Sequence, residues 1–264
     1  MYLPVRVPNE QESRRMSYVI YHITQIVACL LPIAFIDMTL CHLHDFLKPL
    51  AKEYRTNMYP FHVCLWSLPT TSTRWFQLHC VCNWIIVWWS WNEWWTLVWA
   101  KNPWTHVMTT TTNVSSMNFA TALHIYHVVF WPLKPIDVLH HVTSVFVCCP
   151  LMHCMNTTVM SWHLLIGTGI PGGIDYLFLT LVKYNVLDSM VEKRINAWLN
   201  AYLRAPFGVI GSFLTFAYLR QTESTIKQMA SFVILVTTYW NATYFAKLAI
   251  ESYASHRTRI LESM

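Results

Sequence analysis

The stretch KPIDVLHHVTSVFVCCPL, residues 134–151, sets Asp137 and the adjacent His140 and His141 at the head of a run that is otherwise almost wholly apolar. An imidazole or carboxylate among hydrocarbon is costly unless it is partnered or put to use, so three such groups here mark a candidate site. On a helix Asp137 lies three residues before His140 and four before His141. Its carboxylate can therefore reach either imidazole and fix its tautomer and orientation. An imidazole so oriented can act as nucleophile or as general base on an alcohol or amine in acyl transfer. Pro132, Lys134 and Pro135 also put Asp137 near a helix start, where an acid is a good cap, but the histidines one turn deeper have no such explanation. His124 and His127, spaced i, i+3 on the preceding apolar segment, are candidates for the same interior.

A second chemistry uses histidines differently, as ligands that hold iron for lipid desaturation or hydroxylation. That pattern calls for HxxxH and HxxHH boxes. The chain has HxxH at 124–127 and a bare HH at 140–141, with His153 and His163 following loosely, so acyl transfer fits the spacing better.

What positions these groups follows from composition. Of 264 residues 55% are hydrophobic and 12% charged, about half the charged share of a soluble domain, and the mean hydropathy is +0.33. The apolar residues gather into segments near the roughly 20 residues a helix needs to cross a bilayer. Spans are expected at about 17–38, 75–99, 117–133, 137–153, 158–182, 195–219 and 228–250, which predicts an all-α polytopic bundle of about seven spans. Within 39–74, FHVCLWSLP (61–69) reads as a re-entrant or interfacial piece. Trp84, Trp88, Trp91 and Trp95 share one face of the second span, as an interface belt and packing stripe would. Arg14 and Arg15 precede the first span with no small-residue cleavage site after it, so it reads as a retained anchor.

With seven spans, one side carries Arg6, Arg14, Arg15, Lys101, Arg220 and Lys227. The other carries Lys48, Lys52, Arg55, Arg74, Lys134, Lys183, Lys193, Arg194, Arg257 and Arg259. The richer side includes the C-terminus, which the positive-inside rule puts in the cytosol. The sequons Asn113-Val-Ser and Asn156-Thr-Thr fall on the opposite side, close to span ends.

Several features carry less chemistry. The eight cysteines include Cys80, Cys82, Cys148 and Cys149 within or near spans, and no CxxC pair occurs, so they read as small packing residues. The net charge of +5 comes from loops without a dense basic run, which argues against nucleic acid as a partner. GTGIPGG (167–173) matches GxGxxG, but that fingerprint has meaning only between a strand and a helix, and here a span precedes it. Four glycines beside Pro171 instead predict that the helix breaks or packs tightly at that depth, bordering a cavity at Gly169, Pro171 and Gly172, with Asp175 one turn beyond.

The order of these features resembles the TLC domain shared by ceramide synthases, translocation-associated membrane proteins and related membrane proteins. The likeness runs from about Asn118 to Ser255. It rests on DVLHHVTSV after a short proline-containing link, on IPGGIDY (170–176), and on KRINAWLNAYLRAPFGVIGSFL (193–214) with Asn196 and Arg204. The resemblance implies a barrel of helices around a lipid-sized cavity, with Asn196 and Arg204 lining it beside the histidines. It implies an N-terminal anchor and interfacial region over 1–74, a TLC-like membrane domain over 75–255 and a short polar tail over 256–264. In ceramide synthases the paired histidines serve acyl transfer from acyl-CoA to a sphingoid amine, which maps onto His140 and His141. Where those enzymes carry a His-Asp step, this chain has Gly167 and Thr168, so the second acid is absent unless Asp175 supplies it.

The expectation is a lipid-modifying or lipid-handling protein of the endoplasmic reticulum, with His140 and His141 as catalytic pair and Asp137 orienting them. Acyl-CoA would be a substrate, with no bound cofactor. Membrane lipids, and other membrane subunits, are the expected partners. The alternatives are a non-catalytic lipid-binding or structural subunit and a histidine-ligated metal oxidase.

Overall fold

The computed structural model describes residues 10–54, 71–131, 133 and 135–263, the side chains of residues 10–15, 44–54, 71–72 and 135–137 excepted. Among the described residues all regular structure is helical. In chain order the helices are α1 (Glu10–Tyr54), α2 (Thr71–Val98), the short α3 (Pro103–Thr109), α4 (Val114–Phe130), α5 (residues 135–155), α6 (Val159–Lys183), α7 (residues 189–221) and α8 (Thr225–Ser263). The segment 61–69 lies outside the described residues, and α1 is one unbroken helix well past the apolar run that the sequence marks.

Three segments, Met16–Leu43, Val138–Met155 and Val159–Lys183, are long and apolar enough to cross a membrane. Helix α2 is as long as α1's apolar part, but His79, Asn83, Glu93 and its tryptophans make it less apolar; α4 spans 17 residues.

Local chemistry explains the ends. Asn102 accepts from the backbone N–H groups of Trp104 and Thr105 at 3.1 and 3.2 Å, ahead of Pro103 at the first turn of α3. Asn113 caps α4 through Ser115 N at 2.9 Å, and Asp188 caps α7 through Met190 N at 2.7 Å. Asn156 closes α5 in the left-handed conformation, φ 44°, one of the few conformations in which an Asn terminates a helix readily.

Three helices contain a π-helical stretch: Val142–Cys148 in α5, Leu164–Gly169 in α6 and Asn200–Arg204 in α7. Each ends one residue before an X-Pro step, at Pro150, Pro171 and Pro206. Proline cannot donate to the carbonyl four residues back, and its ring crowds that carbonyl; the wider π turn relieves both problems without breaking the helix.

Of the break or tight packing expected over 167–173, the break does not occur: helix α6 continues through it, and Gly169, Gly172 and Gly173 serve close packing on α2. A Cβ at Gly169 would stand 2.8 Å from Val87 Cγ2, at Gly172 2.6 Å from Asn83 Nδ2, and at Gly173 3.1 Å from the Trp84 ring. Thr168 donates to Asn83 Oδ1 at 3.0 Å across the same seam. At Gly208 a Cβ would meet Ala242 at 2.5 Å, drawing α7 equally close to α8. Small residues at such crossings allow the backbone-to-backbone approach that holds helices together where lipid offers no hydrophobic drive.

Charged groups are paired at both ends of α2. Arg74 Nε stands 2.9 Å from Asp37 Oδ1 of α1, and the Tyr126 hydroxyl of α4 donates to Asp37 Oδ2 at 2.9 Å. At the far end Glu93 accepts from the Thr112 hydroxyl at 2.5 Å, from Asn113 N–H and from the Ser161 hydroxyl, tying α2 to the starts of α4 and α6.

Candidate functional site: a buried histidine cluster

The paired histidines do not stand alone. The end of α5's first regular turn, Pro135–His141, delivers His140 and His141 against His124 and His127 of α4, and His79 of α2 completes the group. Successive ring centroids are 5.4 Å apart for His79 and His127, 4.2 Å for His127 and His141, 5.3 Å for His141 and His140, and 5.6 Å for His140 and His124. His141 also meets His124 at 5.5 Å, so it touches three other imidazoles and is 5% exposed.

Aromatic rings wall the cluster. Trp75 lies against His79 and His127 with centroids at 3.5 and 3.3 Å, Tyr176 of α6 is 4.9 Å from His79, and Phe245 of α8 is 6.0 Å from His140. Backbone carbonyls fix two tautomers. His124 Nδ1 donates to Ala120 O at 2.7 Å and His79 Nδ1 to Trp75 O at 3.0 Å, because a carbonyl can only accept. Nε2 of each ring therefore carries the lone pair. His127 Nδ1 is buried without a hydrogen-bond partner.

Asp137 sits on the first turn of α5, but its side chain lies outside the described residues. Gly169 and Gly172 lie at the α2 seam, and Pro171 is buried at the start of the regular part of α6. Asp175, one turn on, has a buried Oδ1 with no hydrogen bond. Asn196 accepts from Asn200 Nδ2 on its own helix at 2.5 Å, and no described contact joins it to the histidines. Arg204 ends the π-helical stretch of α7 with its guanidinium 5.4 Å from the Phe245 ring centroid. His163 and His153 belong elsewhere: His163 Nε2 pairs with Thr215 Oγ1 at 2.8 Å, and His153 packs 4.8 Å from His22 of α1.

The sequence reading missed His79, Tyr176 and Phe245. His79 sits in the Trp-rich second span without a motif around it; its signal is only that an imidazole in an apolar helix needs a reason. Among the described residues no three His, Cys, Asp or Glu side chains stand in an arrangement that would hold a metal ion. What the arrangement can do is proton transfer: lone pairs of fixed direction adjoin other imidazoles through which a proton can be handed on.

Fold and site together define an all-helical membrane protein with a histidine cluster buried among its helices. Comparison with known protein families, curated proteins and solved structures finds no match.

Proposed function

We propose that this protein is a lipid-modifying enzyme of the endoplasmic reticulum that crosses the membrane about seven times and transfers an acyl group from acyl-CoA to a lipid alcohol or amine. The observation that carries the reading is His141, buried and in contact with three further imidazoles. The resemblance to TLC-domain proteins gives the same pair, His140 and His141, the same role.

In the reaction an imidazole of that pair takes the proton of the acceptor O–H or N–H as the oxygen or nitrogen bonds to the thioester carbon. The C–S bond then breaks, and the departing thiolate of CoA recovers the proton from the imidazolium. Neighbouring imidazoles spread the charge that appears on the base during the step. Lipid supplies the acceptor, and apolar walls such as Trp75 and Phe245 suit its chain.

A second reading, a lipid-binding protein without turnover, is favoured by how tightly Trp75 covers His79 and His127. The two separate in one experiment. Purified protein is incubated with acyl-CoA and a panel of sphingoid, glycerol and sterol acceptors, and free CoA thiol is followed. Acceptor-dependent release that His141→Ala abolishes supports the enzyme. Absence of release with every acceptor leaves the binding role.

A further inference from the structure

We infer that Arg204 anchors an anionic head group, a phosphate or carboxylate, on the lipid that reaches the histidines; this rests on the histidine cluster being the lipid site. Charged groups at both ends of α2 are engaged by partners. Arg74 has Asp37 at 2.9 Å, and Glu93 has three hydrogen-bond donors. Arg204, half-buried, has neither kind of partner: its Nε is buried without a hydrogen bond, and it forms no ion pair among the described residues.

A half-buried guanidinium in a membrane helix with a buried, unpaired Nε is costly, and such a residue is expected to meet its counter-charge on a ligand. Its place fits that role. Arg204 is the last residue of a π-helical stretch, a distortion that often accompanies function, and its guanidinium lies over Phe245. Phe245 in turn packs edge-on against His140, with interplanar angle 83°. One aromatic ring thus separates the cation from the catalytic pair. On the α6 side Asp175 and Tyr176 are within electrostatic reach of Arg204, yet Asp175 forms no bridge to it and its own Oδ1 is unbonded. The site therefore offers an unengaged donor and an unengaged acceptor. That combination suits a single-chain lipid with its anionic group on Arg204 and its reacting O–H or N–H toward His140, Asp175 remaining open to any further donor on the lipid. A planar, forked guanidinium matches phosphate and carboxylate oxygens better than an ammonium would.

Binding tests this without requiring turnover. The full-length protein in detergent is titrated with three oleoyl lipids of equal chain length: oleoyl lysophosphatidate, oleate and monooleoylglycerol. The expected result is that at least one anionic lipid binds about tenfold or more tightly than the neutral one, that Arg204→Gln erases this preference while monooleoylglycerol affinity stays constant, and that Arg204→Lys keeps part of it. Which anion is preferred distinguishes a phosphate site from a carboxylate site. The inference is overturned if the wild type does not prefer anionic lipid, if Arg204→Gln keeps the preference, or if Arg204→Gln loses neutral and anionic lipid alike. A wild type that prefers anionic lipid but releases no CoA would retain the Arg204 site and remove the acyl-transfer reading.

Discussion

His127 and His141 meet edge to face with ring centroids 4.2 Å apart and planes at 82°, the closest approach between imidazoles in the cluster. The contact joins α4 to α5, helices separated in sequence by only a short proline-containing link. The two helices pack so that HxxH on one meets HH on the next. Neither motif is much of a site by itself; their juxtaposition makes one.

From this contact follows a ranking of substitutions. His141→Ala and His140→Ala should each lower acyl-CoA-dependent lipid turnover by about 10²–10⁴-fold, the usual worth of a general base. His127→Ala, which removes a neighbour and not the base, should cost less. Asp137→Asn should be impaired but measurable, since an orienting group near the membrane boundary can be replaced in part by water. Turnover measured beside detergent-solution melting checks the order; equal loss in all four variants would reduce the cluster to a packing feature.

The sequence carried the helices well and their interiors less well. Among the described residues helices cover the segments that the apolar runs mark, and three of them, Met16–Leu43, Val138–Met155 and Val159–Lys183, are long and apolar enough to cross a membrane. The extension of α1 from Leu43 to Tyr54 was not legible, since charged residues and Pro49 interrupt the apolar pattern over 44–54. The paired histidines were legible because two adjacent imidazoles in an apolar run are conspicuous, whereas His79 became part of the site only through the crossing of α2 with α4. The glycines at 167–173 left a break and a close packing equally open for a definable reason. Gly and Pro are the strongest breakers in water, but at a helix crossing the same residues allow a π turn and a close approach, and composition cannot distinguish the two.

That packing role makes its own prediction. Gly169→Leu and Gly172→Leu push a side chain into Val87 and Asn83 respectively, and each should destabilise the protein by about 1–3 kcal/mol, as overpacking does. Gly167→Ala meets nothing within 4 Å and should be close to neutral. Thermal melting in detergent reads all three. A neutral Gly172→Leu beside a harmful Gly167→Ala would mean that the α2–α6 seam is misplaced.

The Asp37 contact predicts how α1 is held. Because the carboxylate serves both Arg74 and the Tyr126 hydroxyl, Asp37→Asn should cost about 1–3 kcal/mol, more than Tyr126→Phe, which leaves the ion pair in place. The double substitution Asp37→Asn with Arg74→Gln should recover part of the loss, since no charge is then left unpaired. Melting of these variants together with Arg74→Gln alone is the measurement. An additive double variant would show that the two side chains are near each other without interacting.

The fold strengthens what loop charges suggest about orientation. The Thr110 hydroxyl lies 3.0 Å from that of Thr158, and the Thr157 hydroxyl donates to Val107 O at 2.6 Å, so the segment before α4 and the α5–α6 junction share one end of the molecule. Both sequons, at Asn113 and Asn156, lie there. The Ser189 hydroxyl is 3.3 Å from His256 Nε2, and Lys193 Nζ donates to Ser252 Oγ at 3.2 Å, which sets the C-terminal end of α8 beside the α6–α7 junction. Helix α6 runs between these two ends, and its 25 residues span about 37 Å, enough to place them on opposite faces of a bilayer. Lys183, Lys193, Arg194, Arg257 and Arg259 all belong to the second end, and the positive-inside rule assigns that end to the cytosol. A cysteine at Ser255→Cys should therefore react with a membrane-impermeant maleimide only when the cytosolic face is open, and one at Thr111→Cys only after the lumen is permeabilised. Labelling in the reverse pattern would invert the protein; labelling of both from one side would mean that α6 does not cross.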